Sequence, residues 1–503
     1  MTRSVILSET FKSRNAPPKA SAMVEALRGL GYNTQTALAD IIDNSIAAGA
    51  TEVRIKFIWM HSDSRITCLD NGAGMSASAL DLAMRLGERN PLEERSKSDL
   101  GRFGLGLKTA SFSQCRRLTV ATIGNDGLQS LRWDLDYLAN SSDGGWHLLE
   151  GPHLGSEGFL EPLFEAGRGT LVLWEDLDRI ITPGSTVQDF LDLSDKVEQH
   201  LGMVFHRYLE GNRPRLRILI NDQPVKPWDP FMTDHPGKPY NPPVFKHPSL
   251  KGIEAECHVL PHKDMLSAEA FEVLGGPEGW TAQQGFYVYR NERLLVAGSW
   301  LGLGTGRSWT KDEAHRLARI RLDIPNSADA DWKIDIRKST ARPPIYLRDW
   351  LTRLAEATRA RARRAFAHRG KPTLLGNKQV AEAWKVERLA SGMRYRIDSN
   401  HPAVRGVLDE AGVLLPQIKA MLRVIEETVP VQRIWIDTAE NKDTPCTGFE
   451  KTPPNEINEV LMVMYRSMIE KKGYSANAAK EQLRITEPFH AFPSLVNALP
   501  DNP

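Results

Sequence analysis

The sequence predicts an α+β chain: an α/β sandwich over residues 21–185, a second α/β domain over 186–345, and a mainly helical C-terminal region. Three observations predict it. Helical and strand periodicities alternate from Ser21 to about Ile181, as in a sheet covered by helices. β-rich runs then resume at Leu216–Ile220, Gly285–Tyr289, Arg293–Val296 and Ala318–Ile324. Beyond residue 372 the apolar residues fall at helical spacing, in Val413–Val429 and Ile457–Ile469.

At 503 residues the chain exceeds one compact core, and its length suggests about two to four domains. Residues 1–20 read as an extended arm and 346–372 as a basic helical segment. The tail, 373–503, reads as a helical domain whose role the sequence does not give. Lysine plus arginine is 64 against 63 acids, so net charge does not select a nucleic-acid partner and local charge must. Cys68, Cys115, Cys257 and Cys446 form no CxxC pair, which argues against a zinc site or a disulfide framework and fits a reducing, cytoplasmic setting. No apolar run approaches the roughly 20 residues a membrane span needs. The first 20 residues hold Lys12, Arg14, Pro17 and Pro18 but no apolar core, so neither a membrane segment nor a signal peptide is expected.

Within the first domain, Thr36–Ser45 should be helical, with Leu38, Ile41, Ile42 and Ser45 on one side and Asp40, Asp43 and Asn44 on another. Strands are expected at Val53–Trp59, Arg65–Leu69, Leu118–Ile123 and Thr170–Trp174, and a helix at Val187–Tyr208. Prolines and Trp228 punctuate 228–249, which reads as a loop insertion.

Three segments carry chemistry. An acid and an amide four apart on one helix face, Asp40 and Asn44, can hold a water and a metal; alone, the same pattern is also an ordinary solvated face. Asp70-Asn71-Gly72-Ala73-Gly74-Met75 follows a strand, where a fixed carboxylate can accept from an exocyclic amine and glycines admit a flat ring; a plain glycine turn is the alternative. Gly101-Arg102-Phe103-Gly104-Leu105-Gly106-Leu107-Lys108 precedes a helix, and such glycines expose N–H groups to an anion where the helix dipole favours phosphate. It lacks the GK[ST] ending of a P-loop, and a polar loop, Glu93–Asp99, rather than a first strand precedes it, against a dinucleotide fold.

In that order and spacing these residues resemble the GHKL ATPases (gyrase, heat-shock chaperone, histidine kinase, MutL), and among them the prokaryotic MORC-like and MutL-like proteins. The resemblance spans roughly 20–345 and is strongest over 36–115. It implies a Bergerat-type α/β sandwich followed by a ribosomal-protein-like transducer domain, with ATP and Mg2+ as ligands. By it, Asn44 carries the magnesium and Asp70 reads the adenine amine, with Gly72, Gly74 and Met75 beside it. Gly101, Arg102, Phe103, Gly104, Leu105, Gly106 and Lys108 match the phosphate lid, and Gly169-Thr170 matches the later GT motif of the adenine site.

One departure concerns the base. The family's glutamate is here Asp40. Free aspartate and glutamate side chains, with pKa values of about 3.9 and 4.3, differ little in basicity. The aspartate arm is shorter by about 1.5 Å, however, and a misplacement of about 1 Å can cost on the order of a hundredfold in rate. Slow hydrolysis is therefore expected, with either a helix that sits closer or Asp43 as a contributing acid to compensate. A second departure is Ala47, where MutL-like relatives often carry an acid. In the second domain, Leu216–Asp222, Gly285–Leu295 and Trp332–Ser339 look like transducer strands, and Lys338, with Arg337 as substitute, is the candidate to reach the terminal phosphate; a solvated loop charge is the alternative.

Arg348, Arg353, Arg359, Arg361, Arg363 and Arg364 make 346–372 basic, which suits duplex DNA, the reading the resemblance favours, with a solvated helix between domains as the alternative. The resemblance implies a homodimer that closes on ATP, acting as a clamp on DNA. An association with restriction or antiviral systems, and an effector protein partner, come from the resemblance alone. A protein-remodelling chaperone and a nucleotide-sensing scaffold with little turnover are the competing functions.

Overall fold

The computed structural model describes residues 14, 16, 18–29, 31–87, 106–233, 242–325, 331–332, 341–367, 374–375, 378–389, 392–439 and 455–501. The chain divides into two units, Met1–Arg363 and Arg364–Pro503.

The first unit opens with α1 (Ala20–Arg28), α2 (Thr34–Ala47), β1 (Glu52–Ile58), β2 (Arg65–Asp70), α3 (Ala77–Met84) and α4 (Gly106–Phe112). It continues through β3 (Arg117–Gly124), β4 (Gly127–Asp134), α5 (Leu135–Asn140), β5 (Leu149–Glu150), α6 (Glu161–Ala166) and β6 (Gly169–Glu175). Then come α7 (Val187–Val204), α8 (His206–Leu209), β7 (Arg217–Ile220) and β8 (Gln223–Pro224). These eight strands form one sheet in the order β5-β4-β3-β6-β2-β1-β7-β8, antiparallel except where β7 runs parallel to β1.

Alternation along β1 and β2 sends Val53, Ile55, Ile66 and Cys68 to one face, where they meet Leu38 and Ile42 of α2, Phe112 of α4 and Val197 and Leu201 of α7 in a continuous core. On the other face Leu160 and Leu163 cover Ala121, Leu171 and Leu173. The mixed helix-and-sheet sandwich is thus as the periodicities predict.

Two readings shift. Arg217–Ile220, grouped with the transducer strands, belongs to the first sheet: Val53 pairs with Ile218 and Ile55 with Ile220. The reason is α7, which crosses over the sheet beside α2 and returns the chain parallel to β1. The 228–249 insertion ends in a strand, β9 (Val244–Lys246), paired with β10 (Glu254–Val259).

The second sheet is built from β9, β10 (Glu254–Val259), β11 (Gly285–Arg290), β12 (Arg293–Ser299) and β13 (Ala318–Ile324), in the order β12-β11-β13-β10-β9, with α9 (Ala268–Gly275) and α10 (Gly279–Ala282) in the connection. β11 is buried along its whole length, which its aromatic run GFYVYR allows because each tyrosine hydroxyl finds a partner. Tyr287 donates to the Gln283 carbonyl at 2.8 Å, and the Tyr289 hydroxyl lies 2.7 Å from Nε2 of His206. The Asn291-Glu292 turn takes φ of 47° and 66°, and its Asn291 carbonyl accepts from Tyr208 at 2.6 Å, fastening this hairpin to α8. α11 (Ile345–Ala367) buries Leu347, Leu351, Ala355, Thr358 and Ala362, a stripe at three- and four-residue steps.

The second unit begins with two hairpins, β14 (Leu374–Leu375) with β15 (Lys378–Gln379) and β16 (Trp384–Leu389) with β17 (Gly392–Ile397). Helices α12 (Pro402–Glu410), α13 (Leu415–Glu427), α14 (Val431–Ala439), α15 (Asn455–Glu470), α16 (Ala476–Arg484) and α17 (Pro493–Asn497) follow. Leu461, Tyr465, Met468, Leu483, Phe489 and Val496 make its core, so Leu461, Met464 and Met468 of the apolar stripe read at 457–469 pack inward, while Val460 and Val463 are exposed. Among the described residues no helix is long and apolar enough to cross a membrane.

Candidate functional site

The cross-strand register builds the site. Asp70 at the end of β2 pairs with Thr170 of β6, which pairs in turn with Thr122 of β3, so three polar side chains stand in a row at one end of the sheet. The Asp70 carboxylate is 7% exposed. Its Oδ1 accepts from the N–H groups of Gly72 at 2.9 Å and Thr170 at 3.2 Å, and its Oδ2 accepts from the Ser45 hydroxyl at 2.8 Å. Burial nevertheless pushes this carboxyl above the usual aspartate value, outweighing the three donors that pull it down. A buried acceptor with lone pairs to spare suits a ligand amine.

Glycines let the backbone close tightly around it. Gly74 takes φ +69°, and a Cβ there would lie 2.2 Å from the Ile123 carbonyl oxygen. At Gly169, φ +124°, it would lie 1.9 Å from the carbonyl oxygen of Asp70 itself. A Cβ on Gly72 would stand 3.0 Å from both Ala48 Cβ and Asp70 Oδ1. The Met75 N–H donates to Thr122 Oγ1 at 2.9 Å, and that hydroxyl lies 3.2 Å from Thr170 Oγ1. The turn 72–75 is thereby tied to β3 and β6.

Helix α2 supplies the second wall. Asn33 caps it by accepting from the Thr36 N–H at 2.9 Å. Asn44 is exposed, whereas Asp40 and Asp43 are 4% and 1% exposed. Asp40 Oδ2 accepts from the Tyr32 hydroxyl at 2.8 Å. Asp43 receives Arg293, whose Nε lies 3.2 Å from each of its oxygens, while the same guanidinium comes to 3.9 Å of Asp40 Oδ1. Arg293 is the first residue of β12, so an arginine of the second sheet ties down the acids of α2. Gly106 opens α4 next to this group: a Cβ there would be 3.5 Å from Asp40 Oδ2.

Of the residues singled out from sequence, Asp70, Gly72, Gly74, Met75 and Thr170 come together, and Asp40 and Gly106 meet beside them, with Asn44 exposed on the same helix as Asp40. Lys108, matched to the phosphate lid, is 3% exposed with Nζ donating to the Ala83 carbonyl at 2.8 Å, which seats it at the end of α3. Gly101, Arg102, Phe103, Gly104 and Leu105 of the lid, and Lys338 and Arg337, lie outside the described residues. Sequence reasoning missed Tyr32, Thr122 and Arg293. Tyr32 and Thr122 carry no motif, and Arg293 is 250 residues from Asp43 in the chain.

The arginines of α11 divide. Arg348 donates to the Gly302 carbonyl at 2.8 Å. Arg359 sits 4.6 Å and 4.9 Å from the ring centres of Trp300 and Trp309 and 3.5 Å from Asp312. Arg361 is half-buried, and Arg353, Arg363 and Arg364 are exposed.

A family model described as "Histidine kinase-, DNA gyrase B-, and HSP90-like ATPase" matches residues 32–154, from Tyr32 through both walls of this site but short of β6. No curated protein matches the chain. The matched segment, the mixed sandwich and the buried aspartate above a glycine turn agree: residues 32–154 carry a GHKL-type ATPase domain.

Proposed function

We propose that the chain binds Mg-ATP with its adenine amine on Asp70, hydrolyses it slowly through Asp40, and uses ATP-dependent dimer closure as a clamp on duplex DNA. The observation that carries the nucleotide reading is the Asp70 carboxylate, buried yet fixed by Gly72, Thr170 and Ser45, with a glycine turn before it.

Each residue has a definable task. Asp70 accepts the amine, Thr170 and Thr122 hold the strand ends in register around it, and Gly72 and Gly74 let the ring approach the backbone. Asn44 would hold the magnesium, which when bound neutralises charge on the phosphates. Asp40 would take the proton of an attacking water, with Tyr32 fixing one of its oxygens. Asp43 is no spare base, because Arg293 engages both its oxygens. Lys338 is proposed as the terminal-phosphate cation.

The clamp reading rests on Arg353, Arg363 and Arg364, exposed on α11, as phosphate contacts. Any link to restriction or antiviral defence comes from the MORC-like resemblance. One observation favours a second reading, the nucleotide-sensing scaffold: Asp40 is short-armed, 4% exposed and already engaged by Tyr32. ATPase rate and oligomeric state, measured with and without duplex DNA at two salt concentrations and with an unfolded client as control, separate the readings. Stimulation by DNA that high salt removes supports the clamp. ATP-dependent dimers without turnover support the scaffold, and stimulation by the client alone overturns both.

A further inference from the structure

A second glycine-rich segment leaves the end of β12: Gly298-Ser299-Trp300-Leu301-Gly302-Leu303-Gly304-Thr305-Gly306-Arg307-Ser308. Its backbone turns left-handed repeatedly, with φ of 57° at Gly298, 55° at Leu301, 65° at Gly302 and 80° at Gly306. Backbone of this kind turns N–H groups toward a common point and makes anion-binding concavities. It borders a cavity of about 740 Å³ whose other walls are β12, the C-terminal half of α7 and Thr36 of α2. That volume is within the range of small-molecule sites.

The charge of the lining is one-sided. Arg293, Lys311, Arg342 and Arg348 face the cavity, and no carboxylate does among the described residues. Arg293 is neutralised by Asp43, and burial pushes His200 down to about 4, so it adds no charge at neutral pH. Lys311, Arg342 and Arg348 make no salt bridge with any described residue. Lys311 donates to the Ala282 carbonyl, with Glu278 near enough to act on its charge, and Arg348 donates to the neutral carbonyl of Gly302. Burial also pulls the Lys311 ammonium below its ordinary value, a cost that an anion would relieve. Three like charges lining one cavity favour an anion there.

The nucleotide residues Asp70, Gly72, Gly74, Asn44 and Thr170 are not part of this lining. We propose that the cavity is a second site, for a phosphate-bearing small molecule, held by Lys311, Arg342 and Arg348 beneath the glycine-rich segment 298–308. Met203, Val204 and Leu295 give it an apolar side that a bare ion would not fill. Arg293 stands in both places, lining this cavity and gripping Asp43, so occupancy reaches α2 directly.

The same phosphate chemistry could come from an independent ligand or from the far end of the ATP itself, and calorimetry separates them. Inorganic tripolyphosphate is titrated into the full chain, alone and after saturation with a Mg-bound non-hydrolysable ATP analogue. Comparable affinity in both, weakened at least about tenfold by Arg342→Ala and by Arg348→Ala, is the expected result. Arg342 is exposed, so its variant tests the site even if loss of Arg348 disturbs the fold. Displacement of tripolyphosphate by the analogue, affinity unmoved by both substitutions, or no binding at all overturns the proposal. If the analogue does not bind while Arg342-dependent tripolyphosphate binding persists, the nucleotide reading fails and this one stands.

Discussion

Replacing Asp70 by asparagine keeps the shape of the side chain and changes one acceptor into a donor. Oδ1 takes two backbone N–H groups, from Gly72 and Thr170, so the asparagine oxygen must occupy that position and its NH2 the Oδ2 position beside Ser45. Ser45 can rotate to accept, but an adenine amine then meets a donor. A hydrogen bond to a charged acceptor is worth about 1.5–3 kcal/mol, which corresponds to a loss of about 10- to 150-fold in ATP affinity. Guanine, whose O6 is an acceptor, is not penalised in this way, so the preference for ATP over GTP should shrink.

Stability should move the other way. The folded carboxyl has a raised pKa because of burial, so the folded chain takes up this proton at a higher pH than the unfolded chain does. The charged form therefore costs stability in full above the folded pKa, and the cost is relieved as pH falls toward the unfolded value. At neutral pH Asp70→Asn should leave Tm unchanged or raised. In the parent, ATP affinity should fall on acidification earlier than an ordinary aspartate would dictate. Calorimetric titration of a non-hydrolysable analogue, with a thermal melt of each protein, is the assay. Analogue affinity within twofold of the parent, in a variant with an intact melt, would refute the reasoning.

Other substitutions probe other walls. Asp40→Asn should keep ATP affinity and abolish phosphate release; equal release from variant and parent removes Asp40 from the role of base. Arg293→Met strands the buried Asp43 carboxylate and should cost about 3–5 kcal/mol in a denaturant melt, with much of it recovered in the double variant Asp43→Leu, Arg293→Met; an additive double variant contradicts the pairing. Gly74→Ala must hold a side chain at φ +69° against the Ile123 carbonyl, so about 1–3 kcal/mol of stability and the nucleotide affinity should go together. Alanine at Arg353, Arg363 and Arg364 should flatten the salt dependence of DNA binding by about 2–3 units. Arg359→Ala, which removes a cation between Trp300 and Trp309, should lower Tm and leave that slope alone.

Much of the sandwich was legible because its signals are local. Alternation in 53–59 and 65–69 gives β1 and β2, and the strand-then-Asp-Asn-Gly boundary gives the position of Asp70. The proposed nucleotide side of the site rests on the same kind of local signal: Asp40, Asn44, Asp70, Gly72 and Gly74 fall within two short motifs. What was not legible depends on chain reversal. That β7 joins the first sheet follows from α7 crossing over it, and that Asp43 is consumed by Arg293 follows from packing the second sheet against α2. The basic reading of α11 failed to anticipate that Trp300, Trp309 and Asp312, some fifty residues upstream, would take Arg359 inward. The hairpin β16–β17 was missed although Trp384, Val386, Met393, Tyr395 and Ile397 alternate with charged residues along it and pair across it.

The most direct test of the central claim is a structure of the chain with Mg2+ and a non-hydrolysable ATP analogue. The account predicts the adenine amine within hydrogen-bond distance of Asp70, the ring against Gly72 and Gly74, and magnesium on the Asn44 side-chain oxygen. A nucleotide seated elsewhere, with Asp70 untouched, would contradict it.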